Sequence, residues 1–181
     1  ISAQHLILEV LNGILYVFTF FIAGFSVHTV LLCLLFSALL ALSLIDFKTY
    51  EIPVGFQYVI FVLAVCRTIL DRANWSEHVI GFFAVSVVLY LMYVISKGAA
   101  IGGGDVKLMA VCGLFVGWKL IIFAFLLGCI VGSVVHIIRM KLSGESHVLA
   151  MGPYLSIGVF VAALWGNQIL TWYLGILGIT L

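Results

Sequence analysis

Between Glu9 and Asp46 the chain carries no charged side chain. A bilayer span needs about 20 consecutive apolar residues, so this stretch alone has room for nearly two. The rest of the chain follows suit: 65% of its 181 residues are hydrophobic and 8% are charged. A soluble domain carries about 25% charged residues. Such a chain has too little polar surface to face water on all sides, which excludes a water-soluble enzyme and a disordered tail. Eight Lys and Arg against seven Asp and Glu leave a formal charge of +1. No basic stripe is offered to phosphates, so nucleic acid is not an expected partner. The expected architecture is an all-α polytopic membrane bundle of about six to eight helices, forming one domain over residues 1–181.

Charges and turn residues divide the sequence into apolar blocks at 5–25, 28–45, 53–70, 78–96, 106–118, 120–138 and from Pro153 onward. Pro53 suits the first turn of a helix. The 106–118 block is too short to cross a bilayer unaided and follows Gly98-Ala-Ala-Ile-Gly-Gly-Gly-Asp105. A glycine-rich break before a half-span is tolerated at membrane depth only where protein or water surrounds it. Gly113/Gly117 and Gly128/Gly132 are small-residue pairs that let helices approach closely. The four cysteines, Cys33, Cys66, Cys112 and Cys129, each lie in an apolar run and form no CxxC pair. They read as small hydrophobic fillers, not as a disulfide framework or a zinc site.

Alternating the blocks across a bilayer gathers loops 46–52, 97–107 and 139–152 on one side, with Lys48, Lys97, Lys107, Arg139 and Lys141. Arg67, Arg72 and Lys119 fall on the other. The basic excess marks the first side as cytoplasmic. Asp46 and Asp105 then share that side, each at a helix end. Alone, Asp46 reads equally as a boundary marker in the head-group region, and Asp105 as a helix N-cap. An N-cap, however, does not need three preceding glycines. Such a run serves where backbone bends sharply or another chain comes close.

Two carboxylates on one face point to aspartyl-protease chemistry. Within a few ångströms of each other they cannot both ionise, and they share one proton. The ionised member takes a proton from water, and the protonated one donates a hydrogen bond to the peptide carbonyl. Other constellations fail: there is no HExxH or GxSxG, and no GK[ST] follows the glycine-rich segment. His5, His28, His78, His136 and His147 show no ligand spacing and read as interfacial. Glu9 either sits in the first turn of its helix, where the dipole favours it, or lines a polar cavity with Asn12. Lys107 either biases Asp105 toward ionisation or reaches to head groups. Tyr50, Trp75, Trp118 and Trp172 read as interface anchors.

Four stretches resemble the type IV prepilin peptidases, membrane aspartyl proteases of the GxGD type. Ser43-Leu-Ile-Asp46 with Ile52-Pro53 is similar to the family's first aspartate motif, and Gly102-Gly-Gly-Asp105-Val-Lys107-Leu108 to its second. Met151-Gly-Pro-Tyr-Leu155 resembles the element opening the last span, and Ile1 to Gly13 the first span of long members. The resemblance implies an aspartic-type endopeptidase that removes the basic leader from type IV prepilins or pseudopilins, as in pilus assembly and type II secretion. It would act in the bacterial inner membrane, at the cytoplasmic face, with Asp46 and Asp105 catalytic and Gly102, Gly103, Gly104, Lys107 and Pro53 supporting them. Asp46, Glu51 and Glu145 would attract the leader's cations, diluted by Lys48 and Lys107. Membrane lipid and the prepilin are the expected partners, and the peptidase step needs no metal or other cofactor.

Long members also methylate the new N-terminus with S-adenosylmethionine and carry a zinc-binding loop with two CxxC pairs. Ile1 aligns just past that loop, so a longer parent protein is one expectation and a naturally short peptidase the other. Two rivals stay open. The presenilin and signal-peptide-peptidase class shares GxGD but resembles a Tyr-Asp first motif and a Pro-Ala-Leu late motif, and neither occurs here. A proton-coupled transporter using the same acids as relays would cleave nothing.

Overall fold

The structure, a computed structural model, describes residues 3–99, 101–143 and 150–176. Among them there is no strand, and eight α-helices carry the fold: α1 (Ala3–Ala23), α2 (Val27–Thr49), α3 (Val54–Leu70), α4 (Trp75–Ala84), α5 (Ser86–Ile95), α6 (Gly103–Val116), α7 (Trp118–Ser143) and α8 (Gly152–Ile176). Four helical stretches are long and apolar enough to cross a membrane: Val27–Thr49, Arg72–Ile95, Trp118–Leu142 and Gly152–Ile176. The expected all-α polytopic bundle is therefore what the chain forms.

Local chemistry sets the helix ends. At the start of α2 the Ser26 hydroxyl accepts the Thr29 N–H at 3.1 Å, satisfying one of the orphan donors of the first turn. The same helix stops at Tyr50, which turns left-handed at φ 56 and donates its N–H to the Asp46 carbonyl at 2.8 Å. Pro53 lies one residue before α3, at its cap and not inside its first turn. The 78–96 block is not a continuous helix. It starts earlier, through a 3-10 turn at Arg72–Asn74, and breaks at Val85 into α4 and α5. At that break the Ser86 hydroxyl donates back to the Phe82 carbonyl; side-chain capture of an i−4 carbonyl bends helices.

The centre of the bundle is α6. Fourteen residues at a rise of about 1.5 Å make it ~21 Å long, too short to span alone. Beyond its first turn it is apolar on every side, and nine of the ten positions from Val106 to Phe115 are buried, the exception being Lys107. A helix hydrophobic on every side belongs inside protein, and α3, α4, α5, α7 and α8 all pack on it. Small residues make the fit possible. A Cβ on Gly81 would stand 2.8 Å from the Gly117 carbonyl carbon and 2.9 Å from the Trp118 nitrogen, so α4 meets the end of α6 backbone to backbone. Gly128 likewise lies against Tyr154 and Leu155 where α7 crosses α8. Both glycine pairs noted in the sequence therefore sit at close crossings.

The end of the bundle remote from Asp105 is held by ion pairs. Arg67 meets Asp71 at 3.3 Å, Lys119 meets Glu77 at 3.5 Å, and the His78 ring lies 3.4 Å from Asp71. His78 is buried, with its Nδ1 2.9 Å from the Leu114 carbonyl, so it joins α4 to α6 and is not an exposed interfacial residue. Burial alone would raise the Asp71 carboxyl, but the His78 hydrogen bond, the Arg67 charge and the Asn74 amide outweigh it and hold the group below the ordinary carboxylate range.

The glycine crossings make a contrast that is simple to measure. Gly81→Ala should lower the melting temperature in detergent, since forced overpacking costs about 1–3 kcal/mol. Gly13→Ala, with nothing within 4 Å of its added methyl, should leave it unchanged or raise it, because Ala is the better helix former. Equal melting of the two variants would count against the close α4–α6 crossing.

Candidate active site

Two turns of chain and two helix starts converge at one end of the bundle. Asp46 comes from the last turn of α2, pointing inward and only 4% exposed. Asp105 is the third residue of α6. Both line one cavity of about 550 Å3, together with Tyr50, Gly98, Gly102 and Met151. They stand near enough for the charge of Asp46 to act at Asp105. The remaining wall is apolar: Leu89 and Met92 from α5, Phe125 from α7 and Leu155 from α8. Residues remote in sequence are thus brought into one cavity.

Each carboxylate is held differently. The first N–H groups of a helix have no intrahelical acceptor, and Gly152 opens α8. Its N–H donates to Asp46 Oδ2 at 2.9 Å in a buried contact. Only glycine fits there, because a Cβ would lie 2.6 Å from that same oxygen. Asp105 is not the N-cap of α6. The cap is Gly102, in extended backbone at φ −71 and ψ 140, and no side chain caps the helix. From its first-turn position Asp105 brings Oδ2 back toward Gly102, while its Oδ1 is enclosed with no hydrogen-bond partner.

The glycine-rich segment serves this placement. Lys97 and Gly98 turn left-handed at φ 52 and 80 to end α5, and the Gly98 N–H donates to the Tyr93 carbonyl. Gly104 lies against Ile52, where a Cβ would meet the Ile52 Cβ at 2.9 Å. Gly103 faces the Tyr93 ring. The segment after Asp46 therefore packs directly on the backbone that carries Asp105, with Pro53 fixing where that segment enters α3.

Not every residue singled out in the sequence reaches the cavity. Lys107 is exposed on α6, and Glu9 is exposed on α1; neither lines the cavity. Asn12 accepts a hydrogen bond from the Ser37 hydroxyl and ties α1 to α2. Glu51 is exposed. Glu145 and His147 lie outside the described residues. A zinc site does not fit the residues present: among those described, no three His, Cys, Asp or Glu side chains converge on a common point.

Two residues here escaped sequence reasoning. Gln57, 5% exposed on α3, donates its side-chain N–H to the Gly104 carbonyl at 3.1 Å. Its signal was a lone amide inside an apolar block, which polar residues enter only at a cost. Gly152 carried no signal beyond its motif, because its contribution is a backbone N–H.

A polytopic helical bundle with two enclosed carboxylates at a glycine-rich helix break is the arrangement of a membrane acid-pair protein. The chain belongs to the Type IV leader peptidase family, whose profile matches residues 33–137. It is 31% identical over 182 residues to the prepilin leader peptidase/N-methyltransferase of Stutzerimonas stutzeri, covering 96% of this chain and 63% of that protein. It is 29% identical over 186 residues to the protein of that name from Pseudomonas aeruginosa, covering 98% and 64%. For the Legionella pneumophila protein the identity is 25% over 181 residues, covering 96% and 63%. The chain thus spans somewhat less than two thirds of these relatives. No solved structure matches it.

The Gln57 contact gives a direct check. Gln57→Glu replaces a donor with an acceptor facing the Gly104 carbonyl, and should cost about 1–3 kcal/mol, the penalty for an unsatisfied buried polar group. Gln57→Met should cost less, since it removes the donor without adding repulsion. Thermal unfolding of the two purified variants measures the order, and a Glu variant as stable as the Met variant would contradict the assigned bond.

Proposed function

We propose that this chain is the peptidase part of a prepilin leader peptidase, and that Asp46 and Asp105 are its catalytic pair. The observation that carries the reading is their convergence: two acids 59 positions apart line one cavity beside a glycine-rich backbone. Family membership supplies the substrate class, prepilins and pseudopilins, and the relatives' name, prepilin leader peptidase, agrees with it. The two rivals gain nothing: no observation favours a presenilin-like protease or a proton-coupled transporter.

Hydrolysis follows from the pair. One carboxylate, ionised, takes a proton from water while the water oxygen bonds to the peptide carbonyl carbon. The other, protonated, donates to the carbonyl oxygen as negative charge develops there. The resulting tetrahedral species expels the amine, which leaves with a proton relayed through the pair. No metal or nucleophilic side chain enters, and no cofactor is part of this step. The methyltransferase half of the relatives' name is not assigned to these residues, and neither is the zinc loop or S-adenosylmethionine expected with it.

Placement of the scissile bond supports the substrate. A prepilin presents a basic leader followed by an apolar helix, and the bond between them falls at the membrane interface. The cavity opens at the helix ends, not at mid-bundle, and its walls join apolar side chains to two acids. Lys48, Lys97, Lys107, Arg139 and Lys141 belong to this end, against Arg67, Arg72 and Lys119 at the other. That asymmetry supports a cytoplasmic orientation of the site in the bacterial inner membrane.

Co-expression with a prepilin tests the reading on a gel. Wild type should shorten the prepilin by its leader. Asp46→Asn and Asp105→Asn should each slow processing by at least about 10²-fold, the lower range for losing an acid–base group, while remaining in the membrane. Processing at the wild-type rate by either variant removes that residue from the mechanism. Reversing the leader's basic residues to acidic ones should also slow cleavage, and an unchanged rate would discard the electrostatic part played by Asp46 and Glu51.

A further inference from the structure

We propose that the Gly152 N–H fixes Asp46 as the ionised member of the pair, so that Asp46 is the base toward water and Asp105 carries the proton. This rests on the aspartyl reading above and divides its labour. Two observations carry it. A backbone N–H only donates, so the oxygen it meets is one that accepts in every state of the cycle; Asp46 Oδ2 is that oxygen, at 2.9 Å. Asp105 has a like contact at one oxygen, the backbone N–H of Gly102, and differs at the other. Its Oδ1 is enclosed and meets no donor, and an enclosed carboxylate oxygen without a donor is far costlier as an anion than as a neutral acid.

Each step then balances. Asp46 takes a proton from water as the water oxygen bonds to the carbonyl carbon. The carbonyl π electrons move to oxygen, which takes the Asp105 proton and becomes a hydroxyl. When the carbon–nitrogen bond breaks, the nitrogen takes the proton held on Asp46. The hydroxyl returns its proton to Asp105 as the carboxylic acid product forms. Asp46 ends ionised and Asp105 protonated, as they began. Gly152 touches neither water nor peptide in this scheme and is a positioning residue acting through Asp46.

The chain has only three aspartates, Asp46, Asp71 and Asp105. Asp71 is ion-paired with Arg67 and ionised at neutral pH. Infrared spectra of the full chain in lipid, with carbon-13 in its aspartate carboxyls, therefore read the pair alone in the carboxylic-acid region. At neutral pH wild type should show one protonated-aspartate band. Asp105→Asn should abolish that band and Asp46→Asn should retain it. Any other pattern overturns the division: no band in wild type, loss with Asp46→Asn, or survival in both variants.

Gly152→Ala gives a second readout. Its methyl would press on Asp46 Oδ2 from 2.6 Å and part the carboxylate from its donor. The acidic edge of the cleavage pH profile should then move to higher pH, because the anion has lost a stabilising contact. A uniform fall in rate with an unmoved edge would make Gly152 merely structural and overturn its positioning role. Wild-type cleavage of a prepilin in the same preparation keeps the two readings apart. If it is absent, the peptidase assignment fails; if it is present with the wrong bands, only the division of labour does.

Discussion

Everything in this bundle depends on wrapping one short helix in protein. α6 is too brief to span and is preceded by irregular backbone, at 96–99 and at Ile101 and Gly102, whose polar groups hydrocarbon would not satisfy. Five helices enclose it, and the enclosure is tight because glycines remove the side chains that would hold them apart. Gly81 against Gly117 brings α4 to the end of α6, and Gly104 against Ile52 brings the α2–α3 connection to its start. With both ends of α6 fixed, the depth of Asp105 follows, since it lies three residues into a helix that cannot slide.

The two ends of the bundle treat charge in opposite ways. At one, Arg67, Asp71 and His78 pair among themselves, as do Lys119 and Glu77. Opposite charges satisfied by one another are inert, and their work is to join α3 to α4 and α4 to the start of α7. At the other end two acids share a cavity; Asp46 meets a backbone N–H and Asp105 a turn of glycines. The difference in pairing, more than in burial, separates this fastening from the proposed reactive centre.

Much of this was legible in one dimension. Charge-free stretches and their punctuation by Asp46, Lys97 and Arg139 marked the helices, because hydrocarbon tolerates little else. The glycines before Asp105 marked the start of α6, which Gly103 and Gly104 open, and Gly104 is the one pressed against a neighbour, Ile52. What stayed hidden had physical reasons. The Val85 break lies where one hydroxyl, Ser86, turns on a carbonyl four residues back, and apolar periodicity does not register it. His78 looked interfacial because its partners, Asp71 and the Leu114 carbonyl, belong to elements that only the folded bundle assembles. Gly152 contributes an N–H that every residue but proline possesses; its identity records only the space Asp46 needs.

That last point links fold to chemistry. α2 and α8 pack along their length, and the register between them decides whether the first N–H of α8 meets the carboxylate in the last turn of α2. The register is set elsewhere, where Gly128 lies on the Tyr154–Leu155 backbone and lets α7 seat α8. Moving α8 by one residue would shift its start about 1.5 Å along the axis, enough to carry Gly152 out of hydrogen-bond reach. A glycine contact between α7 and α8, remote from both acids in sequence, therefore governs the electrostatics of the pair.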